Sequence, residues 1–161
     1  MLARYRAAFA VACLLACSLW SSLADAQVLT SSSLPAIERT LRDGGTWSCN
    51  SPGGELLAGV ALGLYLRDHD IGVEVREGGW CASAAAIAAL GASRLFKSVR
   101  GHLVFHGTNR PLTTAERIVV ESVLQQWNVP PSVAARIIGL RSGEAWEPDG
   151  RFLGPLLASR R

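Results

Sequence analysis

Lysine is almost missing from this chain of 161 residues: Lys97 is the only one. A serine–lysine dyad would therefore have to use Lys97, which follows Arg94-Leu95-Phe96 and reads as part of a surface loop. The other basic side chains are arginines, scattered and without interleaved aromatics, which gives no support for nucleic-acid binding. Histidine is scarce too, with three, and no His, Cys or Asp cluster has metal-ligand spacing. No phosphate-binding loop and no dinucleotide fingerprint is present, so the sequence calls for no cofactor and no metal. Beyond residue 26 no apolar run is long enough to cross a bilayer, and beyond residue 33 there is no repeat or low-complexity tract.

The N-terminus has the pattern of an export signal. Arg4 and Arg6 give a basic start, Ala7 to Leu15 an apolar stretch, and Ala24-Asp25-Ala26 a small-x-small cleavage site. Residues 1–26 are thus expected to leave, with Gln27 as the mature start. Leu14-Leu15-Ala16-Cys17 offers a rival lipoprotein-like box, and an uncleaved anchor is a further alternative. The expected location is secreted or periplasmic, with membrane contact only through the leader or a lipid. Residues 27–161 then form one domain with a net charge of +2. Cys13 and Cys17 leave with the leader. Cys49 and Cys81 remain as an even pair in an oxidising compartment, either bridged across neighbouring parallel strands or present as two buried thiols.

Strands and helices alternate along the rest. Leu34 to Leu41 reads as a helix with Pro35 in its first turn. Thr46 to Cys49 is a short strand. Gly54 to Arg67 is a helix apolar nearly all round, hence buried on most sides. Residues 71–75 alternate as a strand, Ser83 to Leu90 is an alanine-rich buried helix, and His102 to His106 is a strand. Pro111 to Trp127 is an amphipathic helix with Thr113 or Thr114 as cap and Glu116 in the first turn. Ser132 to Leu140 is a shorter helix, and Phe152 to Leu157 a final turn. This order implies an α/β fold: βαβ units around a small parallel sheet flanked by helices. The helical face carrying Val120, Val123 and Trp127 is either core or a contact between copies, so a homo-oligomer stays open.

Three short segments carry chemistry. Asn50-Ser51-Pro52-Gly53-Gly54 lies between a strand and a helix. Two glycines there let bare backbone N–H groups approach an anion, although the same string also serves as an ordinary turn. Ser83 stands at the start of an alanine-rich helix, either as a plain N-cap or with its hydroxyl exposed beside the helix N-terminus and the Ala84 N–H. His106 ends an apolar strand and offers a base. It lies about 13 Å from His102 at about 3.3 Å per residue, too far for a shared metal. His69 sits in a charged helix end. A base needs a partner to fix its tautomer, and Glu144 and Asp149 are the available acids. Read from the residues, the order points to a serine hydrolase with a backbone oxyanion hole.

The order Gly-Gly, Ser, His also resembles the Clp-type serine peptidase and crotonase-like superfamily, in particular small secreted Clp-peptidase-like proteins of bacteria. The resemblance runs over roughly residues 45 to 130. It implies Ser83 as nucleophile, His106 as base, the N–H of Gly53 or Gly54 with that of Ala84 as oxyanion donors, and a peptide or acyl-ester substrate. It also implies a strand before the Gly-Gly segment. That strand must be very short here, within Val28 to Thr30, or missing. The other reading is a non-catalytic periplasmic binding or scaffold protein of the same fold. Acyl-CoA chemistry fits poorly with export.

Overall fold

A strand, a tight turn, a second strand and a helix recur three times along the chain. The computed structural model describes residues 26–149. The expected leader (apart from Ala26), its two cysteines and the expected turn at Phe152 to Leu157 lie outside those residues. The first unit is β2 (Thr46–Ser48), β3 (Gly53–Gly54) and α2 (Leu56–Asp68). The second is β4 (Gly72–Val75), β5 (Trp80–Ala82) and α3 (Ala84–Gly91), and the third is β6 (Leu95–Lys97), β7 (His102–His106) and α4 (Thr114–Gln126). β1 (Val28–Leu29) and α1 (Leu34–Thr40) precede them, and α5 (Pro131–Ile138) and β8 (Ala145–Trp146) follow.

The repetition sorts the strands. The first strand of each unit joins one parallel sheet, β2-β4-β6, with Trp47 opposite Val73 and Val73 opposite Leu95. The second strands form the layer that carries the site. β5 runs parallel to β7 with Ala82 opposite Val104, and a single parallel bridge joins Ser51 to Cys81. β1 pairs parallel with β3, Val28 opposite Gly53 and Leu29 opposite Gly54. The strand expected before the Gly-Gly segment is therefore present, only two residues long. β8 closes the far edge, antiparallel to β7.

The core follows from the apolar pattern. Leu62, Leu66, Ile71, Val73, Val75, Leu90, Leu103, Leu124 and Trp127 are all essentially excluded from solvent. Every residue of α3 is buried. Its alanines and terminal Gly91 allow α2 to cross almost backbone to backbone. A Cβ on Gly59 would stand 2.3 Å from the Ala84 carbonyl oxygen, and one on Gly91 would stand 2.2 Å from that of Gly63. This close crossing seats the first turn of α3 against the first turn of α2.

Four short strands differ from the sequence expectation. β3 is the glycine pair, whose Gly54 was expected to open a helix; it pairs with β1 instead, and the helix starts at Leu56. β5 is a Trp-Cys-Ala segment after a Gly-Gly turn, without the β-branched residues that mark strands. β6 includes Lys97, which is not on a loop: its side chain is 12% exposed and pairs with Glu147 at 3.5 Å. β8 is two residues in a polar segment. α4 begins at Thr114 rather than Pro111 because Thr113 caps it. The Thr113 hydroxyl accepts the Glu116 N–H at 3.2 Å, and the Glu116 carboxylate accepts the Thr113 N–H at 2.9 Å. Cys49 and Cys81 form a disulfide with their Cα atoms 5.5 Å apart, both side chains buried. Parallel neighbouring segments bring them together, so the bridge and not the pair of free thiols is what the fold holds.

Candidate active site

Ser83 leaves β5 and turns into α3 with φ 53° and ψ −124°, a backbone conformation that side-chain-bearing residues rarely adopt. Its N–H is held by the Val104 carbonyl at 2.8 Å, and its carbonyl accepts the Ile87 N–H at 3.0 Å. The hydroxyl makes no capping bond to its own helix. The backbone is thus fixed on both sides, and Ser83 lines a cleft of about 780 Å³. The strand-to-helix turn holds a serine where a plain N-cap would have spent its oxygen on the helix.

His106 ends β7, the strand parallel to β5, and lines the same cleft as Ser83, Ala84 and Gly54. Its Nδ1 lies 3.0 Å from the Gly107 carbonyl oxygen. A carbonyl only accepts, so Nδ1 carries the proton and the Nε2 lone pair is left to act as a base. The Gly107 N–H is held in turn by the Glu144 carbonyl at 3.0 Å. Glu144 therefore supports the histidine through its backbone. Its carboxylate accepts the Arg141 N–H at 2.9 Å and closes its own turn. Asp149 is exposed past β8, and neither acid lines the cleft. In place of a carboxylate on His106, the fold supplies a carbonyl.

The glycine pair is divided. Gly53 has φ 99° and is buried directly against Ser83: a Cβ there would meet the Ser83 Cβ at 2.5 Å and the Ala84 nitrogen at 2.9 Å. The Gly53 N–H donates to Ser51 Oγ at 3.1 Å. Gly54 lines the cleft. Ala84 is the first residue of α3, where backbone N–H groups have no partner within the helix. Of the three expected donors, Gly54 and Ala84 face the cleft and Gly53 has its N–H engaged.

Charged groups at the rim are largely committed to one another. Glu55, just after Gly54, accepts the Ser31 hydroxyl at 2.6 Å and the Ser31 N–H at 3.0 Å, which hold its pKa below the usual carboxylate range. Arg110 and Glu116 form a two-pronged pair at 2.8 and 2.6 Å. That pair, with the Thr113 bonds, pulls the Glu116 pKa down to about 2. Ile87, Phe105, Val120, Ile137, Ile138 and Leu140 give the cleft an apolar wall. Among the described residues no group of three His, Cys, Asp or Glu side chains is placed to hold a metal ion. The sequence reading did not single out Ser51, the Ser31–Glu55 contact or the Gly107 carbonyl. Only Ser51 had a signal, its place in the Asn-Ser-Pro-Gly-Gly string.

No protein-family model matches the sequence, and no curated protein does. Solved structures do. One is a membrane-bound stomatin-specific protease, 1510-N, in a variant with a serine replaced by alanine. It aligns at 16% identity and a TM-score of 0.54, over 81% of this chain and 73% of that one. A second variant of that protease, with a lysine replaced by alanine and a substrate peptide bound, aligns at 15% identity and 0.55, over 80% and 68%. The fold is of the Clp/crotonase type. At this identity the likeness concerns the fold, and the expected tie to small secreted relatives gains nothing from it. The α/β architecture is thus one that a stomatin-specific protease also uses.

Proposed function

We propose that the protein is an exported serine hydrolase, acting on a peptide or another acyl substrate. The observation that carries this reading is Ser83: a strained, uncapped serine at a helix N-terminus, in one cleft with a histidine whose tautomer is already set. His106 Nε2 takes the proton as Ser83 Oγ attacks the carbonyl carbon. The oxyanion settles between the N–H groups of Gly54 and Ala84. His106 then returns the proton to the leaving group, and a water, deprotonated by the same nitrogen, releases the acyl product. A lysine base is not at hand, because Lys97 pairs with Glu147 on β6 and does not line the cleft. The apolar wall suits an uncharged side chain next to the scissile bond. The leader pattern, together with a disulfide-tied site, supports a secreted or periplasmic location.

The test is fluorophosphonate labelling of the chain that starts at Gln27. Ser83 Oγ attacks phosphorus and fluoride leaves. Labelling is expected in the wild type, absent in Ser83→Ala, and about 100-fold slower or worse in His106→Gln. A folded wild type that stays unlabelled would leave the binding-protein reading in its place.

A further inference from the structure

Ser51 is the one buried polar residue recorded among the described core positions, at 1% exposure. Its backbone is stitched to β5: its N–H donates to the Trp80 carbonyl at 2.6 Å, and its carbonyl accepts the Ala82 N–H at 2.9 Å. Ala82 directly precedes Ser83. The side chain works in the other direction. Its hydroxyl donates to the Gln27 carbonyl beside β1 and accepts the Gly53 N–H at 3.1 Å. One residue thus links the N-terminal strand, the glycine pair and the strand that carries Ser83.

We infer that Ser51 is a positioning residue that decides which glycine N–H faces the reacting carbonyl. This rests on the acyl-transfer reading above. Successive N–H groups of an extended segment point to opposite sides. The Glu55 N–H reaches the Leu29 carbonyl at 2.8 Å, and the Gly53 N–H is held on Ser51. Both therefore point toward the β1 side. By that alternation the Gly54 N–H between them points the other way, and Gly54 lines the cleft together with Ala84. Without the Ser51 hydroxyl the Gly53 N–H and the Gln27 carbonyl lose their shared partner. The Pro52–Gly53 peptide plane is then released, and its rotation about the Gly53 Cα would tilt the next plane and draw the Gly54 N–H off the oxyanion position. The adjoining disulfide fixes only the segment before Ser51 and leaves that plane free.

Two measurements test this. In fluorophosphonate labelling, Ser51→Ala is expected to lower the inactivation rate constant 10- to 100-fold, since loss of a whole oxyanion donor costs about 100- to 1000-fold. The concentration for half-maximal rate and the pH midpoint should not move, because the cleft wall and His106 are untouched. Ser51→Thr, which keeps the hydroxyl, should recover most of the rate. A folded Ser51→Ala labelled at the wild-type rate would overturn the inference while leaving the hydrolase reading intact. The second measurement is amide exchange by NMR on the wild type, which needs no labelling and no variant. A protected Gly53 amide beside a fast-exchanging Gly54 amide is the expected result. Equal exchange at the two glycines would sink the assignment even if Ser51→Ala failed to fold or the wild type were not labelled.

Discussion

At the scale of single residues, the site places its costs where its chemistry is. Ser83 is held at positive φ by the Val104 carbonyl on one side and the first turn of α3 on the other. A conformation of this kind costs about 1–3 kcal/mol for a residue with a side chain. Glycine takes it without strain, though glycine also makes the unfolded chain more flexible by about 0.5–1 kcal/mol. Ser83→Gly should therefore stabilise the fold by about 1 kcal/mol, while Ser83→Ala, which keeps the Cβ, should not. Urea denaturation of the three proteins checks this. A Ser83→Gly variant no more stable than wild type would mean that the backbone strain is not real. His106 shows the complementary economy. The Gly107 carbonyl fixes its tautomer, but a neutral oxygen does less than a carboxylate for the imidazolium formed during turnover. On the proposed hydrolase reading, turnover should therefore be slow relative to labelling of Ser83.

At the scale of elements, helix α4 has the clearest local logic. Thr113 and Glu116 close a capping box, and Arg110 adds two charge-assisted bonds to the same carboxylate. The Glu116 pKa is depressed from 4.5 to about 2, chiefly by Arg110 and then by Thr113. A group depressed in the folded state gives stability that is complete above its unfolded pKa and lost as pH falls through the folded one. Stability should thus decline between about pH 5 and pH 2, and Glu116→Gln should flatten that decline at a cost near neutral pH. Thermal melts across this range decide it, and parallel slopes for both proteins would contradict it. The capping box was legible because its signature is local: a threonine, and a glutamate three residues on. So were α2 and α3, whose apolar and alanine-rich runs admit only burial. β3, β5, β6 and β8 were not, since these two- and three-residue segments lack the β-branched alternation of a strand and form one only through partners far along the chain. The partner of His106 is illegible for a different reason: it is the backbone carbonyl of the very next residue, Gly107, a group every residue has and no sequence pattern marks. Glu144 stands in the region expected to supply an acid, yet what it supplies is a backbone carbonyl to the Gly107 N–H, one step removed from the histidine.

At the scale of the whole molecule, the layer that carries the candidate site is assembled from very short pieces. β1 and β3 are two residues each, and among the described residues a single isolated backbone bridge, Ser51–Cys81, pairs that segment with β5. The Cys49–Cys81 disulfide spans 32 positions of sequence and ties the segment entering the glycine pair to the strand leading into Ser83. Closing a loop of that length is worth roughly 3–4 kcal/mol in the chain-entropy model, a large share of the 5–15 kcal/mol typical of a domain. The Cys49→Ala/Cys81→Ala double variant should lose about that much in urea. Both sulfurs are buried, so a thiol reductant should act on the native protein only as fast as it opens, and reduction should accelerate with urea in step with unfolding. Loss of less than about 1 kcal/mol, or fast reduction of the fully folded protein, would show that the close strand pairing holds the layer by itself. If the expected loss is seen, the oxyanion segment depends on an oxidising compartment for its stability, a physical reason for a site of this construction to be used outside the cytoplasm.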